Sequence, residues 1–230
     1  MKSFVALTVF ALSLCATVSA SGQSCELDAC TWSDGFIPQQ PSVSKPGYRE
    51  WAWDGKDGLG VSVPATVHYE RGGPARIVIT GPEDTLTHLR VGQGQIRHDN
   101  SRDLFREGRL EITVSGVTLR AVMLAGSPTI ELGRLDQDRL SLAINGSGVA
   151  GGEGRVDQVK LAIHGSGKAD FGGVTARRAD ISIAGSGTVS VGPREAANIA
   201  ITGSGIVRLT ARPAELHRAI TGSGDIRVVD

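Results

Sequence analysis

The stretch LAINGSGVAGG, Leu142 to Gly152, decides the fold because its central Gly-Ser-Gly trio returns at a nearly fixed interval. The spacings between first glycines are 19, 20, 18 and 19 residues, and a degenerate copy, Gly126-Ser127-Pro128, lies 20 residues before the first trio. Self-similarity at such a period is typical of repeat architectures. The five trios are Gly146-Ser147-Gly148, Gly165-Ser166-Gly167, Gly185-Ser186-Gly187, Gly203-Ser204-Gly205 and Gly222-Ser223-Gly224.

Apolar residues alternate with polar or small residues on both sides of each trio. Two residues before it stand Ile144, Ile163, Ile183, Ile201 and Ile220, and two residues after its last glycine stand Ala150, Ala169, Val189, Val207 and Ile226. This period of two predicts two strands per unit, each with one buried face. If the chain stays extended through the trio, both glycines point inward and the serine points outward. That predicts a corner whose inner side has no room for a Cβ.

One unit cannot be stable alone, because its few buried side chains do not offset the entropy of ordering its backbone. The units are therefore expected to stack, each isoleucine column lying on itself, as an all-β, parallel β-helix or β-solenoid with right-handed crossovers. Regular coils are expected over about residues 119–230, after an irregular N-terminal β cap. The alternative is a set of hairpins packed as propeller blades, but near-constant unit length favours stacking.

The first residues, MKSFVALTVFALSLCATVSASG, are typical of a secretory signal peptide spanning residues 1–20 and cut after Ala20. The alternative is a membrane anchor, which needs about 20 apolar residues. The apolar run from Phe4 to about Val18 is shorter than that. We therefore expect an exported protein, in the periplasm or at the cell surface or beyond it, without a membrane segment in the mature chain.

Residues 21–47 are expected to form an irregular arm or linker. Cys25 and Cys30 lie there, and in an oxidising compartment two thiols so close in sequence most simply form one local disulfide. The alternative, a redox or metal pair, lacks the CxxC spacing. Three prolines between Thr31 and Pro46 interrupt any regular element, so the ordered domain is expected over residues 48–230.

Charge and motif searches favour a protein without chemistry of its own. Lys and Arg number 24 and Asp and Glu number 24, so bulk charge attracts neither nucleic acid nor an anionic membrane. The five histidines show no zinc-type spacing, and no dinucleotide loop or nucleophile elbow is present. We predict no catalytic residue, metal or cofactor. A polysaccharide-acting enzyme is the less favoured alternative, because solenoids of similar shape include such enzymes.

Three surfaces are candidates for binding. Trp51 and Trp53 share one strand face, where they could stack on sugars or cover the open end of the solenoid. Thr202 and Thr221 belong to a strip beside the serine column that could bind an extended polymer such as a glycan, or an envelope protein. The last repeat, GDIRVVD, leaves the final coil open, so self-association into a homo-oligomer is the structural alternative to a binding function.

The repeats and the segment before them resemble one known family. ITGSGIVRL, IAGSGTVSV and ITGSGDIRV, with VSVPATVHYERGGPARIVITGP further upstream, are similar to the bacterial auto-transporter adhesin, head GIN domain family. The resemblance covers about Trp51 to Asp230. It implies an exported, β-solenoid-like protein of adhesin type, and it brings no catalytic residues with it.

Overall fold

The protein is described by a computed structural model for residues 35–99 and 109–229. The predicted signal peptide with its cleavage after Ala20, and the predicted Cys25–Cys30 disulfide, lie outside the described residues. Stacked parallel coils form a β-solenoid of about five turns, and strands make up nearly all of the regular structure. The all-β solenoid is therefore confirmed, while the right-handed crossover stays a prediction.

The N-terminal third holds short strands and one helical turn. In chain order they are β1 (Val43–Lys45), β2 (Tyr48–Ala52), β3 (Gly58–Val61), β4 (Ala65–Glu70), β5 (Arg76–Thr80), α1 (Glu83–Thr87), β6 (Leu89–Gly92), β7 (Gln95–His98) and β8 (Leu110–Ser115). Strands β1, β2, β5 and β8 pair antiparallel in that order, and β8 then pairs parallel with β4. This part closes the N-terminal end of the coils.

Long bent strands form the coils. They are β9 (Ala121–Gly126), β10 (Thr129–Gly146), β11 (Val149–Gly165), β12 (Lys168–Gly185), β13 (Thr188–Gly203), β14 (Ile206–Leu209), β15 (Glu215–Gly222) and β16 (Asp225–Val228). Every pairing between successive coils is parallel. The breaks after β10, β11, β12, β13 and β15 fall at the five trios, so each trio is one corner of a coil.

The arm is ordered further upstream than the predicted domain start at residue 48. The amide of Gln39 donates to the carbonyl of Val91 at 2.7 Å, and β1 pairs with β2 through Val43 opposite Glu50. The three prolines exclude a long strand in this arm, yet they leave enough free amides for local pairing. Residues from Gln39 onward therefore pack on the domain.

The core is a set of columns that run along the stack. Leu142, Leu161, Ile181 and Ile199 lie in register and are 1–3% exposed. The fifth member of this column, Arg218, is exposed on the last coil. The apolar interior therefore ends at β15.

The coils differ slightly in length, and register shifts away from the trios accommodate these differences. Register shifts fall between Leu132 and Arg134, Gly151 and Glu153, Phe171 and Thr175, and Ala176 and Arg178, and the pairing from Arg178 to Gly185 is then continuous. Every trio itself stays in register with the one before it, for example Gly185 opposite Gly203. Bulges are a common way for a sheet to take up extra residues. The face that precedes the trio is therefore regular along the whole stack.

Candidate functional site

A shallow groove of about 550 Å³ runs along the regular face that precedes the trios. Its floor is one outward-facing column of small side chains, continued at its start by a methionine. The members of this floor column, in register from β9 to β15, are Met123, Ala143, Ala162, Ser182, Ala200 and Ala219. Because each strand alternates its faces, these residues lie between the buried isoleucine and leucine columns on the opposite side of the sheet.

One wall of the groove is a polar column two residues before the floor. It comprises Lys160, Asp180, Asn198 and His217, which are in register on successive coils. The amide Nδ2 of Asn198 donates to Oδ1 of Asp180 at 2.7 Å. This bond fixes the direction of the Asp180 carboxylate, which lines the groove.

The other wall is a corner column two residues after the floor. Asn145 and His164 line the groove, and Ala184, Thr202 and Thr221 follow them in register. Thr202 and Thr221 are exposed, at the positions where the sequence predicts a binding strip. The binding role of these two threonines stays a prediction, and the sequence analysis did not name the floor of the groove. The small residue between the two apolar positions of each unit is the signal that could have found it.

The tryptophan pair does not form an exposed platform, because Trp51 is buried and Trp53 is half-buried, and the binding role of Trp51 and Trp53 stays a prediction. Trp51 is 3% exposed, and its indole nitrogen Nε1 donates to the carbonyl of Gln39 at 3.4 Å. Trp53 is partly buried against the same core, with Nε1 donating to the carbonyl of Lys56 at 2.9 Å. Trp51 faces inward because β2 needs an apolar face against the N-terminal core, and Trp53 lies one residue beyond the end of β2.

The described residues offer the groove hydrogen-bonding groups along its length. Its walls present amide, imidazole, ammonium and carboxylate groups at successive coils. Within residues 35–99 and 109–229, no group of three or more His, Cys, Asp or Glu side chains is placed to hold a metal ion. No helix in the same ranges has the length and apolar character needed to cross a membrane. Such an arrangement can bind a ligand along its length.

Parallel coils with an open groove along one face define the class of this protein as a β-solenoid with a repetitive surface. The family model "Putative auto-transporter adhesin, head GIN domain" matches residues 57–213, and the chain belongs to that family. The family description points to an exported protein. No curated protein matches the chain.

The chain is similar to several solved structures to which its sequence identity is low. A putative adhesin from Bacteroides fragilis NCTC 9343 is 18% identical, with a TM-score of 0.64 over 79% of this chain and 96% of that one. A putative lipid binding protein from Parabacteroides distasonis ATCC 8503 is 19% identical, with a TM-score of 0.49 over 80% and 96%. A putative adhesin from the same strain is 14% identical, with a TM-score of 0.45 over 79% and 96%. The first of these supports the solenoid architecture.

Proposed function

We propose that this protein is an exported, non-catalytic binding module that holds an extended glycan in the groove. The observation that carries the proposal is the register of the groove, in which successive coils place a floor side chain and a polar wall side chain at equivalent positions. A polymer of repeating units matches a repeating site, and it gains affinity from many weak contacts without a deep pocket.

The chemistry of the walls favours a polar polymer. Amide, imidazole and carboxylate groups flank a floor whose small side chains allow close approach, and Asn198 already holds Asp180 in one orientation. Strands in a sheet lie about 4.8 Å apart, so the six strands from Met123 to Ala219 make a groove about 24 Å long. Affinity should therefore rise with oligosaccharide length until the ligand spans that distance, and level off beyond it.

Filling the floor tests the proposal. Ala200→Tyr and Ser182→Tyr change exposed floor positions, so we expect both variants to fold and to lose at least about tenfold in affinity for the polysaccharide that the native protein retains on a glycan array. Thr175→Tyr changes an exposed position outside the groove and is the matched control. Equal binding by all three variants would contradict the groove.

Two further measurements separate this function from its alternatives. Release of reducing ends from the bound polysaccharide would show an enzyme and contradict a non-catalytic module. Protease treatment of intact cells, followed with an antibody to the protein, tests the location. Digestion is the expected result for a surface module that meets external glycans, and protection would direct the search to a glycan or protein of the periplasm.

A further inference from the structure

The last coil exposes a strand edge that has no partner among the described residues. Every residue of β15 is exposed, and the apolar side chains Leu216, Ile220 and Val228 are 37%, 41% and 36% exposed. At the other end of the stack, β8 covers β4 and β3 covers β9. Unpaired edges of this kind are templates for another strand. A partner chain can extend the sheet at the β15 and β16 end.

We propose that this end binds a second copy of the chain, tail to tail, about a two-fold axis at Ser223. In this dimer β15 of each copy pairs antiparallel with β16 of the other. A coil has two strands joined by a Gly-Ser-Gly corner, so a partner must offer the same bent shape to pair with both strands at once. A second copy of the last coil has that shape, and a two-fold axis through the corner exchanges its two strands.

The backbone alternation fits this register. The amides of Ser223, Asp225 and Val229 donate to the preceding coil at 2.8–3.0 Å, so odd-numbered residues face the body of the solenoid. On β16 the alternation therefore turns the backbone groups of Ile226 to the open end. On the strand before the corner, the amide of Ser141, which is in register with His217, donates to Arg120 of the preceding coil, so the backbone groups of Ile220 face the open end as well. The axis at Ser223 sets Ile220 opposite Ile226 of the second copy. Residues with free backbone groups therefore meet each other.

The side chains fit the same register. On the inner face Ile220 meets Ile226 of the second copy, and on the outer face Ala219 meets Arg227 of the second copy. No like charges lie opposite each other in this pairing, whereas pairing of β15 with β15 about Arg218 would oppose two guanidinium groups. Arg218 instead meets Val228 of the second copy, which is apolar.

Sedimentation equilibrium of the purified protein tests the dimer. We expect the mass to rise with concentration from monomer to dimer and no further. Ala219→Arg places like charges opposite each other and should weaken dimerisation by roughly three- to tenfold. Ala219→Glu changes the same exposed position and should preserve or tighten the dimer. A constant monomer mass, growth beyond a dimer, or equal dissociation constants for the two variants would overturn the proposal.

A cross-link tests the position of the axis. Cα atoms directly opposite each other in an antiparallel pair lie about 4.5–5.5 Å apart, within the range of a disulfide. Ser223→Cys, with Cys25 and Cys30 both replaced by Ser, should therefore form a disulfide-linked dimer under mild oxidation. Ser204→Cys is the same corner one coil earlier and is the control, expected to stay monomeric on a non-reducing gel. Equal cross-linking of the two variants would overturn the axis at Ser223.

Discussion

At the scale of single residues, the two glycines of each trio are required for different reasons. Gly185 has a φ of +127°, and a Cβ there would lie 2.4 Å from the carbonyl oxygen of Gly165 on the preceding coil. Gly187 has no unusual φ, but its Cβ would lie 2.6 Å from Cγ2 of Ile163 in the core. The first glycine supplies a backbone conformation and the second supplies space.

Alanine substitutions in one trio should separate these two roles. Gly185→Ala combines backbone strain with a backbone clash and should lower the free energy of unfolding by about 3 kcal/mol or more. Gly187→Ala meets a side chain that can shift, so its cost should be about 1–3 kcal/mol. Urea denaturation measures both. Ser186→Ala, at an exposed position, is the control and should change stability by no more than about 0.5 kcal/mol; a Gly185→Ala variant as stable as this control would contradict the corner geometry.

The alternation of apolar residues in the sequence predicted the corner but not the different roles of its two glycines. The parity argument assumes an extended chain through the trio, and the positive φ of Gly185 breaks that assumption. The second glycine does point inward, as Gly187 against Ile163 demonstrates. Close approach between coils is a property of the stack, so the strand pattern of one unit could not reveal it.

At the scale of elements, a charged contact joins β2 to α1. The guanidinium of Arg49 donates to the carboxylate of Glu83, and the amide of Gly47 donates to the same carboxylate at 2.9 Å. These hydrogen bonds hold the pKa of Glu83 below its ordinary value of 4.5, and the bond from Arg49 contributes more than the bond from Gly47. The contact therefore stabilises the fold above the ordinary carboxyl pKa, and this stabilisation is lost as the pH falls through the lowered pKa.

Glu83→Gln tests that contact. Because the native carboxylate binds fewer protons than it does in the unfolded chain, removing it should flatten the decrease in stability on acidification below about pH 4.5. The measurement is the urea midpoint of both proteins between neutral and acidic pH. Asp84→Asn, at the neighbouring exposed position, is the control and should keep the native pH profile. Parallel profiles for the native protein and Glu83→Gln would contradict the contact.

The burial of the tryptophans gives a second prediction at this scale. Trp51→Ala removes a ring that is 3% exposed and should cost about 3–5 kcal/mol in the free energy of unfolding. Trp53→Ala removes a partly exposed ring and should cost less. Thermal denaturation compares the two variants. A small effect of Trp51→Ala together with a loss of glycan binding would favour the surface interpretation.

The N-terminal elements were less predictable than the coils for a physical reason. The apolar runs from Val61 to Tyr69 and from Leu86 to Val91 each look continuous in sequence. In the structure Pro64 separates β3 from β4, and Leu86 belongs to α1. The strand partners here are distant in sequence, as β4 with β8 and β2 with β5. In the coils each strand repeats the pattern of its neighbour, which is why local sequence was sufficient there.

At the scale of the whole molecule, each coil pairs through its backbone with the coils next to it, although the hydroxyl of Thr210 also reaches past β13 and donates to the carbonyl of Gly172 at 3.1 Å. Stability should therefore be close to a sum over coils and their interfaces. The trios mark where one coil ends, and the removal of Thr188 to Gly205 joins Gly187 to Ile206 at equivalent positions. In the shortened chain Lys168 would lie opposite Ile206, and Gly185 opposite Gly222. In the native protein each of these four residues lies opposite a residue of β13. The isoleucine columns and the groove floor stay continuous across the junction.

This deletion should therefore give a folded protein with one coil fewer. We expect the far-ultraviolet circular dichroism spectrum to keep its shape and the thermal midpoint to fall. The urea m-value should decrease by less than about one fifth, because one of about five turns is lost and less surface is buried. The control removes Thr188 to Ala196, half a coil, which brings a strand opposite a corner and shifts the apolar columns out of register. That variant should unfold or aggregate, since the exposed face of one strand would then meet the core face of the next. If both deletions abolish folding, the coils are not independent units and the stability of the solenoid depends on the full stack.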